Sequence, residues 1–444
     1  MFYKEGLKML SKPPFLNDMN LNTRTLLPGI LSAIFSYLLA SQILLGVDTH
    51  KFPDTDWPNW RGPSHNGIAH PGQKPPMHFS ATKNVVWKAK VPGRGHGTPI
   101  VVGNKVILMT ADQKKQVQSV IAYNRSTGQQ SWKTDVHSGG FMRHNKKASQ
   151  ANGSLSCDGR RIFFNFPNSD GAWTTALGLD DGKIIWQTRI TDYVVHQGYG
   201  STPFVYKHLL IVAADNKKAG AIAALDRTNG RVIWKNDRPR KPNYPSPVVF
   251  NIGDRDQLVL TGCDLVTSLD PLTGKKFWEF EGATTECVAT TVTDGQRIFT
   301  SGGYPKNHIS AVEADGSGKV TWQNNIRVYV PSMIAKDGFL YAVTDAGIAI
   351  CWNSATGEQM WKGRLGGTFS ASPTLVGKNI YAVNETGAFF VFKASPKAFE
   401  ILARNQLGNA VFASPVICDS RIYQRIAFRN GGKLQEMLFC LGEK

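Results

Sequence analysis

The sequence predicts an all-β protein, a single eight-bladed β-propeller of four-stranded antiparallel blades, preceded by an N-terminal hydrophobic helix. Three observations predict it. The pattern Gly-x-x-x-Trp recurs six times, at Gly128–Trp132, Gly182–Trp186, Gly230–Trp234, Gly274–Trp278, Gly318–Trp322 and Gly357–Trp361. Successive tryptophans lie 54, 48, 44, 44 and 39 residues apart, and Trp87, 45 residues before Trp132, starts the series. Such a period suits one blade per repeat. Beyond Ala403, which stands where the tryptophan is lost, only three strand-like runs remain: ASPVIC, RIYQRIAF and KLQEMLFCL. The run around Trp87 has no three strands of its own before it. If residues 83–91 complete the last blade, both oddities vanish and the sheet edges are hidden. Seven blades is the alternative count, should a degenerate repeat be miscounted.

The elements follow in chain order. Residues 1–25 read as a cytoplasmic extension carrying Lys4, Lys8, Lys12 and Arg24, with Met19 as an alternative start. Residues 26–47, LLPGILSAIFSYLLASQILLGV, hold no charge and are long enough for a bilayer core of about 30 Å. Positive charge before the segment and Asp48 after it send the rest of the chain across the membrane. No cysteine follows closely, so no lipid-modified terminus is expected; with no small-x-small pair at its end the segment is expected as a retained anchor, a cleaved signal that releases the chain to the periplasm being the alternative. Residues 48–82 read as an extended segment packing on the ring, and residues 83–444 as the propeller. Its plan is plainest near the C-terminus, where SPTLV, IYAVN, AFFVFKA and EILAR alternate as strands between GKN and ETG turns. Glycines in RSTG, RTNG, PLTG and SATG mark the last turn of a blade, and the tryptophan after each is expected to pack between blades.

Composition bounds the chemistry. The 444 residues are 41% hydrophobic and carry a formal charge of +18, which favours anionic partners. Cys157, Cys263, Cys287, Cys351, Cys418 and Cys440 are scattered, with no CxxC, and read as buried strand residues rather than a disulfide framework. No GxSxG, HExxH, P-loop or paired-carboxylate signature is found.

These repeats resemble the pyrroloquinoline-quinone-type propeller family, which includes quinoprotein alcohol dehydrogenases and the outer-membrane assembly lipoprotein BamB. The similarity covers roughly residues 57–444 and is carried by DWPNWRGPSHNGIA and NVVWKAKVPGRGHGTPIVVGNKVILMTAD with the repeats themselves. For the dehydrogenase branch the resemblance implies adjacent disulfide-bonded cysteines, a calcium ion and a catalytic aspartate. No two cysteines adjoin here and no calcium loop or CxxCH is evident, so neither quinone nor calcium is expected. The BamB branch implies a protein-binding scaffold, though this chain lacks a lipid-attachment cysteine. A non-catalytic exported scaffold that binds a protein or an anionic polymer is therefore the expected function. A quinone- or metal-dependent oxidoreductase is the alternative, and nucleic acid is not an expected partner because export separates the chain from it.

In a propeller the first strand of each blade lines the central channel. The loops leading into first strands share a face with those joining strands two and three; the glycine turns lie opposite. We call these the upper and lower faces. Upper loops are the longer and more irregular, and include PGRGHG, HSGGFMRHNKKASQ, VVHQGYGS, DRPRKPNYPS and RVYVPS. They supply the candidate ligand-binding residues Arg94, His96, Arg143, His144, Lys146, Lys147, His196, Tyr199, Tyr244 and Arg327, on a rim expected to be basic, with Arg238 among its cations. The histidines are expected as polar channel residues, not metal ligands. Glu286, the carboxylate nearest a first strand, is expected to pair with a rim arginine; a general base is the other reading. Ser/Thr-Pro recurs at first-strand starts, at Thr98, Thr202, Ser246, Ser372 and Ser414, where a strand can forgo a ladder donor.

Overall fold

A computed structural model describes residues 50–443, so the hydrophobic segment at 26–47 lies outside the described residues. Eight sheets of four strands each make the ring. Blades 1 to 7 are consecutive: Ile100 to Ser138, Ser156 to Thr191, Phe204 to Arg238, Val248 to Glu281, Val292 to Asn324, Ile334 to Arg364 and Thr374 to Gln406. Blade 8 takes three strands between Val416 and Leu441, and its outer strand is Val85–Val91 from the start of the ring. That strand pairs antiparallel with Lys433–Leu441, setting Trp87 opposite Cys440. Eight blades closed by the early strand are what the tryptophan series predicted.

The apolar core lies between blades rather than in one centre. Separate buried clusters join blades 1 and 2, 2 and 3, 3 and 4, 5 and 6, and 6 and 7, and the largest spans the seam of blades 7, 8 and 1. Alternation puts one strand face toward each neighbouring blade, so both faces of the inner strands are apolar. The sequence signature has a direct cause here. In all eight outer strands a β-bulge sits just before the tryptophan position and sets its side chain against the following blade. Five of the seven indoles there donate to a turn carbonyl, as from Trp87 to Arg125 (2.8 Å), Trp322 to Ser354 (2.8 Å) and Trp361 to Ser395 (2.7 Å), while Trp278 donates to Gln257 Oε1 (3.0 Å). In five of the seams the indole ring lies on the glycine of the next Gly-x-x-x-Trp. A Cβ at Gly128 would stand 2.6 Å from Trp87, and those at Gly182, Gly230, Gly274 and Gly357 meet the preceding blade's tryptophan as closely.

The same rule explains Ala403. Blade 8 has no covalent turn between its third and fourth strands, only the contact of Gly442 N with Asn84 O at 2.9 Å. Blade 7 therefore faces no covalent turn for an indole to cover. Phe79 joins the buried cluster around Ala403 instead.

Residues 56–69 cross the lower end of the channel. Trp57 bridges to Val101 of blade 1 and Ile68 to Leu375 of blade 7. Between them His65 packs on Phe204 of blade 3, with ring centroids 4.3 Å apart. Arg61 is buried, and donates to the carbonyls of Met333 in blade 6's approach and Pro373 (3.3 Å) in blade 7's. This strap thus touches blades on opposite sides of the ring.

Candidate functional site

Each first strand descends from the upper face, and at its start each carries a hydroxyl residue. Seven hydrogen bonds link these residues around the channel, each running from a main-chain N–H to the hydroxyl oxygen of the next blade. They run from Thr98 to Ser154 (3.1 Å), Ser154 to Thr202 (3.2 Å), Thr202 to Ser246 (2.9 Å) and Thr290 to Ser332 (3.0 Å). The series continues from Ser332 to Ser372 (2.9 Å), Ser372 to Ser414 (2.9 Å) and Ser414 back to Thr98 (3.0 Å). At the remaining position Thr290 Oγ1 accepts the indole N–H of Trp60 at 3.0 Å. Five of these residues precede proline; Ser154, Thr290 and Ser332 do not, which hid them in the sequence.

All eight hydroxyl residues line a cavity of about 360 Å³. Trp60 also contacts a smaller space with Phe204 and Val248, which lie below the hydroxyls on their strands. The remaining lining residues all lie above. The channel is therefore a cup with an indole floor, a hydroxyl belt and an upper mouth. Asn145, Asn152, Gln197, Tyr199, Tyr244, Tyr329 and Phe412 shape its sides, and no Asp or Glu lines it.

Of the candidate residues, His96, Lys147, Tyr199 and Tyr244 line this cup. His96 stacks on Phe412 (centroids 4.0 Å apart), while Arg94 reaches its Nε2 at 3.3 Å. Burial, then the Arg94 and Arg425 guanidiniums, hold the His96 ring well below the usual imidazole range. The ring stays neutral. Lys147 pairs with Glu385 at 2.9 Å, and Ser370 donates to the same oxygen. The Tyr199 hydroxyl is spent on the carbonyl of Ala213 (2.8 Å) and the amide of Asn165 (2.7 Å). Tyr244 is buried, with the main-chain N–H of Gln197 near its hydroxyl, and that hydroxyl donates to no described residue. Burial, followed by the charge of Glu286, raises its phenol.

The other candidates stand around the mouth. Arg143 and Lys146 are exposed beside Lys147 in the blade 1 to blade 2 loop. His144 contacts Asn145 O at 2.8 Å and lines a small neighbouring pocket. Arg327 donates to Gly303 O (2.7 Å) and lies over the Tyr329 ring at 4.9 Å. Two expectations need correction. Glu286 pairs with His196 (3.0 Å) and accepts from Tyr329 (3.2 Å), not from an arginine. The charges could have met either way, but Arg327 is held on Tyr329. Arg238 is not a rim cation: it is buried against Asp215 at 2.9 Å, because it ends an outer strand that folds inward beside blade 4. The sequence also offered no sign of Arg425, buried under Gly95 with Glu436 at 2.7 Å and one unpartnered guanidinium nitrogen.

The six cysteines are all free and buried, and sit in five blades or their approaches. None lines the cup. Among the described residues no group of three or more His, Cys, Asp and Glu side chains is placed to hold a metal ion.

An eight-bladed ring with a floored, carboxylate-free cup defines the class, a propeller whose central channel opens on the upper face. More particularly, the chain belongs to the family of the outer membrane protein assembly factor BamB, whose profile matches residues 77–192, 117–362 and 305–397. It is 24% identical to the BamB of Yersinia pestis over 65% of this chain and 62% of that protein. It is also 24% identical to a tetrathionate hydrolase of Acidithiobacillus ferrooxidans, over 68% of this chain and 65% of that one. A polyvinylalcohol dehydrogenase of a Pseudomonas species is 25% identical over 54% and 36% of the two chains. The chain thus spans somewhat under two thirds of the first two relatives. Among solved structures, BamB from Moraxella catarrhalis superposes with a TM-score of 0.58 at 13% identity, covering 80% of this chain and 96% of that one. A europium-containing methanol dehydrogenase reaches 0.64 at 12% identity, covering 88% and 98%. These likenesses concern the fold.

Proposed function

We propose that the chain is an exported, non-catalytic scaffold propeller that docks an acidic protein segment on its upper face. One observation carries the reading: Arg143, Lys146 and Lys147, the last paired with Glu385, are exposed in one loop beside a cup walled by aromatic, amide and hydroxyl groups. Rim charge steers an anionic partner and the apolar rings supply contact area. The BamB relatives, named as assembly factors, support a scaffold role, and the uncharged stretch at 26–47 supports export. An anionic polymer would use the same rim.

The second reading is an oxidoreductase, favoured by the dehydrogenase among the relatives. A calcium-held quinone would need carboxylate ligands in the cup, and its walls provide none. We assign no cofactor. The decisive experiment is capture of envelope proteins by the full-length chain in mild detergent, with and without Arg143→Glu, Lys146→Glu and Lys147→Glu together. Capture should fall at least ~10-fold in the variant, and also in 1 M salt, where screening acts within about 3 Å. Capture that survives both changes overturns the rim reading, and a native mass that reveals a bound chromophore or metal favours the enzyme.

A further inference from the structure

The lower face carries an apolar strip that the ring does not cover. The β-bulge that sets each tryptophan against the next blade leaves the two residues before it at the lower end of the outer strand. In blade 1 those positions hold Gln130 and Ser131. In blade 2 they hold Ile184 and Ile185, and in blade 3 Val232 and Ile233, all between 40% and 48% exposed. The seams draw the two pairs together. A Cβ on Gly230 of blade 3 would meet the Trp186 ring, and one on Gly274 of blade 4 would meet the Trp234 ring. Leu272, 40% exposed in that same blade 4 turn, extends the strip. Single exposed aliphatics are ordinary, but five on three adjoining blades mark an interaction surface.

Two observations select the partner. The first is where the described chain begins. An added Cβ at Gly159, in the turn between the first two strands of blade 2, would meet the His50 ring. In that turn Arg160 O accepts from Leu179 N (2.9 Å), in the turn that leads to Ile184. Val47, the end of the uncharged stretch, precedes His50 by three residues, which is no more than ~10 Å of extended chain. The second is charge. Arg160, Lys183, Lys207, Arg231 and Lys275 are exposed in the lower turns of blades 2 to 4, against Asp180, Asp181 and Asp254. Lys183 answers Asp181 (3.1 Å), Lys105 of blade 1 answers Asp180 (2.8 Å), and Lys207 reaches Asp256 (3.5 Å). Among the described residues this leaves Arg160, Arg231 and Lys275 without an ion pair, and Asp254 as the one unpaired acid of the three. Aliphatic side chains flanked by free cations suit the interface of an anionic bilayer.

We propose that this strip docks on an anionic phospholipid surface, with Ile184, Ile185, Val232, Ile233 and Leu272 among the headgroups and the upper rim turned away from the membrane. The proposal rests on the reading of residues 26–47 as an anchor. Its test uses the full-length chain in phosphatidylglycerol nanodiscs that contain a nitroxide-bearing lipid. A bimane label is placed at Leu272→Cys, and at Lys114→Cys on the upper face as the control; the six native cysteines are buried and leave the introduced thiol to react. Quenching should be at least ~3-fold greater at 272 than at 114. Adding Ile184→Ser, Ile185→Ser, Val232→Ser and Ile233→Ser should bring it down to the control, and discs of phosphatidylcholine alone should quench it less. Equal quenching at 272 and 114 in the otherwise native chain would overturn the proposal, as would quenching that survives the four serines or ignores lipid charge. A chain that does not enter discs overturns the anchor reading and this proposal with it, whereas entry without quenching at 272 defeats this proposal alone.

Discussion

Replacing Gly128 by alanine tests why glycine precedes each tryptophan. Gly128 has φ near +72°, and its added Cβ would stand 2.6 and 2.7 Å from two indole carbons of Trp87. The backbone term is about 1 kcal/mol for a left-handed alanine. Carbon atoms prefer ~3.5–4.0 Å, so the indole must also retreat by roughly 1 Å, an overpacking cost of about 2 kcal/mol. Gly377 isolates the first term: its φ is near +57° and nothing lies within 4 Å of its Cβ. At about 2.1 cal/mol/K per residue, a ring of this size has an unfolding entropy of roughly 0.8 kcal/mol/K. Gly128→Ala should therefore lower the melting temperature by about 4 °C and Gly377→Ala by about 1 °C, read by scanning calorimetry. In a Trp87→Ala background, which copies the natural Ala403, the Gly128→Ala penalty should shrink to that of Gly377→Ala. Equal shifts for the two glycines, or a penalty that persists without the indole, would refute the packing account.

Three more outcomes follow from the buried groups. Burial lowers His65 to about 4. A group neutral when folded and titrating near 6.5 when unfolded contributes stability above 6.5 that is lost as pH falls toward 4. Acidification from pH 7 to 5 should thus cost about 1 kcal/mol, allowing for the partial exposure of the ring, and urea midpoints of His65→Phe should lose that dependence. Glu436→Gln strands the Arg425 guanidinium, which is 2% exposed, and should destabilise the chain by about 3–5 kcal/mol in chemical denaturation. Burial pushes the thiols of Cys157, Cys287 and Cys351 up to about 12. Native protein should therefore resist iodoacetamide at pH 8, and labelling of these residues before unfolding would contradict their placement.

The ring was legible because its logic repeats. The glycine–tryptophan contact recurs in five of the blades and the tryptophan in seven, so spacing alone revealed blade number and closure. The absent tryptophan at Ala403 was readable as an oddity, but its cause, a neighbour lacking a covalent turn, needed three dimensions. The cup was only partly legible. Its belt announced itself at five Ser/Thr-Pro steps, while Ser154, Thr290 and Ser332 lack the proline that made the others visible. Trp60 forms its contact once, and a contact without periodicity leaves no pattern to find. Charge was least transparent, since nothing in the letters around Arg238 tells that Asp215 will bury it, or that His196 will take Glu286.

The seam has a consequence in time. Val85–Val91 emerges first of the ring's strands, yet its hydrogen-bonding partner Lys433–Leu441 is the last strand of the ring in chain order. Until then one strand waits with an unsatisfied edge, the kind that recruits other chains. A nascent polypeptide halted anywhere before residue 433 would hold several finished blades and a sticky open end. Quality control that senses that end would distinguish complete from truncated copies without reading anything else about them.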